Sequence, residues 1–72
     1  MTPDEFRQIR TERLMLTQAQ LARVLDFKRG LRISEIERGA VPILQRIEMI
    51  MLALDDGWRP PQWNEWIGEN RQ

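Results

Sequence analysis

The chain has 72 residues, and its 11 Lys and Arg are balanced by 11 Asp and Glu, so the formal net charge is zero. That length makes one domain, small enough to bury only about 60% of the surface its unfolded chain exposes. There is no Cys, His or Tyr, and the one serine is Ser34; disulfides, thiolate metal sites and Ser-His-Asp or Cys-His catalysis are excluded.

Histidine is also the commonest transition-metal ligand and general base. No Gly-rich phosphate loop and no metal-ligand spacing is present. The carboxylates sit among arginines at helical spacing, the pattern of solvated helix faces. The expectation is a protein that is not an enzyme, holds no cofactor or metal, and implies no small-molecule ligand. No apolar run approaches the ~20 residues of a membrane span and no signal peptide opens the chain, so a cytoplasmic protein without a membrane partner is expected. A second copy is the remaining support for so small a core.

Thr2-Pro3-Asp4-Glu5 reads as a helix start, with Thr2 as N-cap, Pro3 at the first helical position and acids in the first turn. Phe6, Ile9 and Arg13 share one side, and Leu14 and Leu16 close the segment. The first helix is expected over about 3–14. Thr17-Gln18-Ala19-Gln20 is a capping-box pattern, and Leu21, Ala22, Val24 and Leu25 follow at helical spacing over about 18–25. So short a helix depends on packing.

Asp26 to Gly30 is a break, in which Gly30 tolerates backbone angles that other residues avoid; it either supplies such an angle or merely begins the next helix. The stretch from Phe27 to Arg32 holds three cations, Lys28, Arg29 and Arg32, and no acid. A third helix over about 30–38 has Ile33 and Ile36 as its buried stripe and Gly39 as its stop. A fourth, about 42–55, begins at Val41-Pro42. Ile43, Leu44, Ile47, Ile50, Met51 and Leu54 form its core stripe, and Met49, Leu52 and Ala53 extend the apolar character around it. A helix apolar nearly all round is covered on more than one side. Asp55-Asp56-Gly57 ends it. In the tail, Pro60-Pro61 forces a bend, and Trp63, Trp66 and Ile67 form one face of a fifth helix, about 61–67. Trp58, Trp63 and Trp66 are all the tryptophans of the chain. They either cap the core or form a dimer surface.

Two helices joined by a tight turn are the helix-turn-helix plan. Over residues 17–39 the pattern is more specific: Thr17-Gln18, Leu21-Ala22, Leu25, Phe27, then Ile33-Ser34-Glu35-Ile36-Glu37-Arg38-Gly39. As a set these residues resemble the Cro/C1-type helix-turn-helix family (the XRE family) of small repressors. The likeness extends over about residues 3–57. It departs in two places. Asp26 stands where a glycine is usual, in a stretch between Leu25 and Ile33 that is one residue longer. Met15 likewise stands for a glycine, in a segment between Arg10 and Leu16 that is also one residue long.

The resemblance implies an all-α fold, a small four- to five-helix bundle with a helix-turn-helix, lambda-repressor-like. It divides the chain into a DNA-binding domain, 1–57, and a Trp-rich extension, 58–72. It implies a structural pair between Glu37 and either Arg10 or Arg13. It implies a sequence-specific repressor that binds double-stranded DNA at a palindromic operator as a homodimer, an autorepressor of a small phage or mobile-element operon. With Ile33, Ile36 and Glu37 turned inward, the opposite side of the third helix holds Lys28, Leu31, Arg32, Glu35 and Arg38. That side would enter the major groove, where Arg and Lys reach guanine O6 and N7.

Glu35 would either accept from cytosine N4 or restrain Arg32 or Arg38 at helix spacing. In the family the equivalent of Gln18 touches phosphate or an adjacent base, at a helix N-terminus that favours anions. The DNA-binding set is therefore Gln18, Lys28, Arg29, Arg32, Ser34, Glu35 and Arg38, with Arg46 a weaker phosphate contact. The dimer set is Met49, Leu52, Ala53, Trp58, Trp63 and Trp66. Two rival readings use the same features: an antitoxin whose tryptophan tail grips a toxin, and a protein-interaction module without DNA binding, which the zero net charge favours.

Overall fold

The computed structural model describes residues 1–68, whose regular elements are all helices, with no strand among them. The last four residues of the 58–72 segment lie outside the described part. Five helices form in chain order: α1 (Pro3–Gln8), which continues as a π-helical turn over Ile9–Arg13, α2 (Gln18–Val24), α3 (Leu31–Glu37), α4 (Gln45–Asp55) and α5 (Trp63–Ile67). The all-α bundle expected from the sequence is the fold observed, and none of the described helices is long and apolar enough to cross a membrane.

Both helix starts legible in the sequence form as capping boxes. The Glu5 amide donates to Thr2 Oγ1 at 3.1 Å and the Thr2 amide to Glu5 Oε1 at 2.8 Å. Thr17 and Gln20 repeat the exchange at 2.9 and 3.1 Å. Each box satisfies two backbone groups that a helix N-terminus leaves without partners.

The extra residue between Arg10 and Leu16 has a definite place. The Leu14 amide donates to the Ile9 carbonyl at 2.9 Å, five residues back, so one residue is looped out within the last turn. Met15 then takes φ 55 and reverses the chain while its side chain points to solvent, 80% exposed. Leu14 and Leu16 on either side of it are buried.

In the turn between α2 and α3, Gly30 begins the helix and does not supply a special backbone angle. The residue in the left-handed region is Asp26, φ 64. Its amide donates to the Arg23 carbonyl at 3.2 Å, and the Phe27 amide to the Ala22 carbonyl at 2.8 Å. This is a Schellman closure with Asp in the place glycine usually takes; a short polar side chain tolerates that conformation better than most. Gly30 is an ordinary right-handed N-cap, φ −66 and ψ −12. Its lack of a side chain matters for another reason. A Cβ there would lie 3.2 Å from the Ala19 nitrogen and 3.3 Å from the Gln18 carbonyl carbon. Gly30 lets the start of α3 approach the start of α2.

Gly39, φ 78, ends α3 as expected, with the Ala40 amide donating to the Glu35 carbonyl at 2.9 Å. Helix α4 starts at Gln45 and not at Pro42. Val41 and Ile43 both pack on the core while Pro42 and Leu44 face out. An alternation of two needs extended chain, and Leu44 is extended, φ −66 and ψ 152. The fifth helix starts at Trp63, after a turn in which the Trp63 amide donates to the Pro60 carbonyl at 3.0 Å.

One core gathers Phe6, Ile9, Leu14, Leu16, Leu21, Ala22, Leu25, Ile33, Ile36, Ile47, Met51, Leu54 and Ile67. Helix α2 packs against α3 and α5, α1 against α3, and α4 against the π-helical turn. Residues 58–67 thus return to the same core. Helix α5 is also held from outside its own backbone: Gln20 Nε2 donates to the Ile67 carbonyl at 2.8 Å and Arg23 Nη1 to the Trp66 carbonyl at 3.0 Å. These two carbonyls lie in its last turn, where a helix lacks internal donors.

Candidate nucleic-acid interface

Helix α3 turns Ile33 and Ile36 into the core and leaves Leu31 and Arg32 exposed. Lys28 and Arg29 are exposed as well, in the turn ahead of the helix and not on it. Asp26, Phe27, Lys28, Arg29, Leu31, Arg32 and Glu35 line an open cleft of about 430 Å³ at this end of α3. Neither Lys28 nor Arg29 has a carboxylate within ion-pair distance among the described residues.

Arg32 has two neighbours. Its Nε lies 3.3 Å from Glu35 Oε1, and its guanidinium carbon lies 5.9 Å from the centre of the Phe27 ring. Glu35 therefore has the i,i+3 proximity to Arg32 that the restraining role needs. The pair is partly exposed, so its contribution to stability is ~0.5 kcal/mol or less. Its effect is on where the guanidinium points.

Behind α3 lies a buried polar network. Arg10 Nε donates to Glu37 Oε2 at 2.6 Å and Arg10 Nη2 to Glu37 Oε1 at 3.0 Å. The same guanidinium donates through Nη1 to the Leu16 carbonyl at 2.9 Å. Arg10, and not Arg13, is the partner of Glu37; Arg13 reaches Asp55 at 3.4 Å instead. Both arginines lie in the π-helical turn, Arg10 on its side toward Glu37 of α3 and Arg13 on its side toward Asp55 of α4. Gln18 belongs to this network, with Nε2 donating to Glu37 Oε1 at 3.2 Å. Its expected DNA contact is therefore joined by a structural one that the sequence did not suggest.

Ser34 is half-buried and Arg38 exposed, and both line a second, smaller cleft between α1, α2 and α3. Of the DNA-binding set, Lys28, Arg29, Arg32 and Glu35 thus lie around one cleft and Gln18, Ser34 and Arg38 around another. Arg46 is exposed on α4, apart from both.

The dimer set divides. Met49, Leu52 and Trp58 are exposed, at 62%, 50% and 51%. Ala53, Trp63 and Trp66 are half-covered by their own chain. Trp63 packs on the core and carries Arg59 over its ring at 4.8 Å. Arg59 Nη1 also donates to the Leu54 and Trp58 carbonyls, both at 2.8 Å, a C-terminal cap for α4 that the sequence reading missed. The chain matches no protein-family model, no curated protein and no solved structure.

Proposed function

We propose that the chain is a sequence-specific DNA-binding repressor of the Cro/C1 type, acting as a dimer on a two-fold related operator. The observation that carries this reading is the face of α3 opposite its buried stripe. Arg32 is exposed there, within ion-pair distance of Glu35 and beside the Phe27 ring, and Lys28 and Arg29 lack acidic partners among the described residues.

In the proposed mechanism the N-terminal part of α3 enters the major groove. Arg32 donates to guanine O6 and N7, Leu31 meets a thymine methyl, and Lys28 and Arg29 contact phosphates or base edges at the groove wall. A bound dimer blocks polymerase. The same reading extends to an autorepressor in a phage or other mobile element.

Footprinting on the DNA upstream of its own gene tests this. Protection of a two-fold related site, with affinity that falls as salt rises, is the expected result. Absence of any protected site, together with absence of salt-dependent binding to mixed-sequence DNA, would overturn it. The antitoxin reading draws on one observation, the exposed apolar side chains of Met49, Leu52 and Trp58. A distinct protein that co-purifies in fixed ratio through this face would favour it over a homodimer.

A further inference from the structure

The cleft between α1, α2 and α3 has a volume of about 240 Å³ and is lined by Arg7, Arg10, Gln18, Ser34, Glu37 and Arg38. Its floor is neutralised: both oxygens of Glu37 accept from Arg10, and one also accepts from Gln18. Its rim is not. Arg7 and Arg38 are exposed, and no carboxylate lies within ion-pair distance of either among the described residues. Three arginines against one glutamate leave the cleft two positive charges in excess. Asp4 and Glu12 lie with Arg7 along the other side of α1 and line no part of this cleft.

Two cations about one concave site, with Ser34 lining it as well, suit a single tetrahedral anion. Guanidinium groups pair with phosphate by two parallel N–H···O bonds. The Arg10–Glu37 pair fixes α1 against α3, so Arg7 and Arg38 are held on one frame.

We infer that this cleft is a phosphodiester clamp in which α1, through Arg7, grips the DNA backbone together with Arg38 and Ser34. The inference rests on the DNA-binding reading and adds α1 to the interface. The clamp contacts only backbone, so it carries no sequence information; it sets the register in which α3 meets the bases.

The test compares wild type, Arg7→Gln and Arg7→Lys on two duplexes, the protected upstream fragment and one of mixed sequence, between about 50 and 200 mM salt. Arg7→Gln is expected to weaken binding to both by the same factor, roughly three- to ten-fold at 0.1 M salt. It should also flatten the slope of log affinity against log salt by about 0.9 for each copy bound. Arg7→Lys should recover most of the slope, since it keeps the charge. Thermal unfolding of Arg7→Gln should match wild type, because the side chain is exposed and makes no ion pair among the described residues. In a third arm, neutral methylphosphonates replace backbone phosphates one at a time. Wild type should lose affinity at one position in each half-site, and Arg7→Gln should be indifferent there.

If wild type binds both duplexes and Arg7→Gln binds them with unchanged affinity and slope, the clamp is wrong and the α3 reading survives. If Arg7→Gln is weakened on the upstream fragment alone, Arg7 reads sequence and the clamp is again wrong. Failure of wild type to bind either duplex removes both proposals together.

Discussion

Arg10 and Glu37, 27 residues apart in the chain, form a two-pronged pair at 2.6 and 3.0 Å with both side chains nearly out of water. The remaining Arg10 nitrogen is satisfied by the Leu16 carbonyl. A buried pair contributes little beyond what apolar residues of the same size would. Its partners, however, cannot be removed singly without leaving a charge alone in the interior.

Arg10→Ala or Glu37→Ala should therefore cost ~3–5 kcal/mol, a large part of the ~4–10 kcal/mol that folds a domain of this size. Urea unfolding of each variant measures it. Arg13→Ala should cost ~1 kcal/mol or less, because its pair with Asp55 is partly exposed. Equal losses at Arg10 and Arg13 would show that the buried network has been misjudged.

The turn offers a sharp contrast between Gly30 and Asp26. A side chain at Gly30 must push backbone atoms of Gln18 and Ala19, so Gly30→Ala should cost ~1–3 kcal/mol by overpacking and Gly30→Val more. At Asp26 the strain lies in the backbone, φ 64. Asp26→Gly should be neutral or stabilising within ~1 kcal/mol, and Asp26→Val should destabilise by ~1–2 kcal/mol. Thermal unfolding of the four variants decides. Tolerance of valine at Gly30 would contradict the close approach of α3 to α2.

Much of this fold is written locally, and those parts were legible. Two capping boxes, the Gly39 stop and the isoleucine stripe of α3 each follow from residues within four or five positions of one another. What was not legible depends on partners distant in the chain. Nothing near Gly30 shows that Gln18 and Ala19 lie against it. The start of α4 moved because Val41 and Ile43 both reach the core, which only the tertiary structure reveals. The spare residue between Arg10 and Leu16 was countable, but not its closure as a π-helical turn or which arginine of that turn meets Glu37. At the candidate site, the cation cluster Lys28-Arg29-Arg32 stood out because it falls in one short stretch without an acid. Arg7 did not, because helix α1 carries it to Ser34 and Arg38 across the fold.

On the groove-reading face, the Arg32–Glu35 pair predicts two opposite effects. Arg32→Ala should lose ~1–3 kcal/mol of discrimination at one base pair and leave the others unchanged. Glu35→Ala removes a negative charge from the interface and the restraint on Arg32. Affinity for mixed-sequence DNA should rise, and the preference at that same base pair should narrow. Titrations against single-base-pair variants of the protected site measure both. A shift of preference at a different base pair in Glu35→Ala would mean that Glu35 contacts a base itself.

Because residues 58–67 return to the core, truncating the tail cannot test dimerisation. Truncation after Gly57 would remove Ile67, which is 3% exposed, and Trp63, which packs on the core. Loss of large buried side chains costs ~2–5 kcal/mol apiece, so a truncated chain would lose its fold along with any dimer. The informative positions are the exposed ones. Met49 and Leu52 project from α4 one turn apart on the side away from Ile47, Met51 and Leu54. A carboxylate there should leave the monomer folded while opposing burial against a second copy. Met49→Glu and Leu52→Glu are expected to keep the thermal midpoint of an isolated monomer, to shift sedimentation equilibrium toward monomer, and to reduce palindrome affinity far more than half-site affinity. The last effect follows because a two-fold dimer sets two copies of α3 roughly 34 Å apart, one DNA turn, and each half strengthens the other. If both variants remain dimeric, the contact runs through Trp58 and the end of α4 instead, and Trp58→Ala should then dissociate it. If wild type is monomeric at concentrations that saturate the operator, the exposed apolar face of α4 is not a homodimer surface, and the copies meet only on DNA.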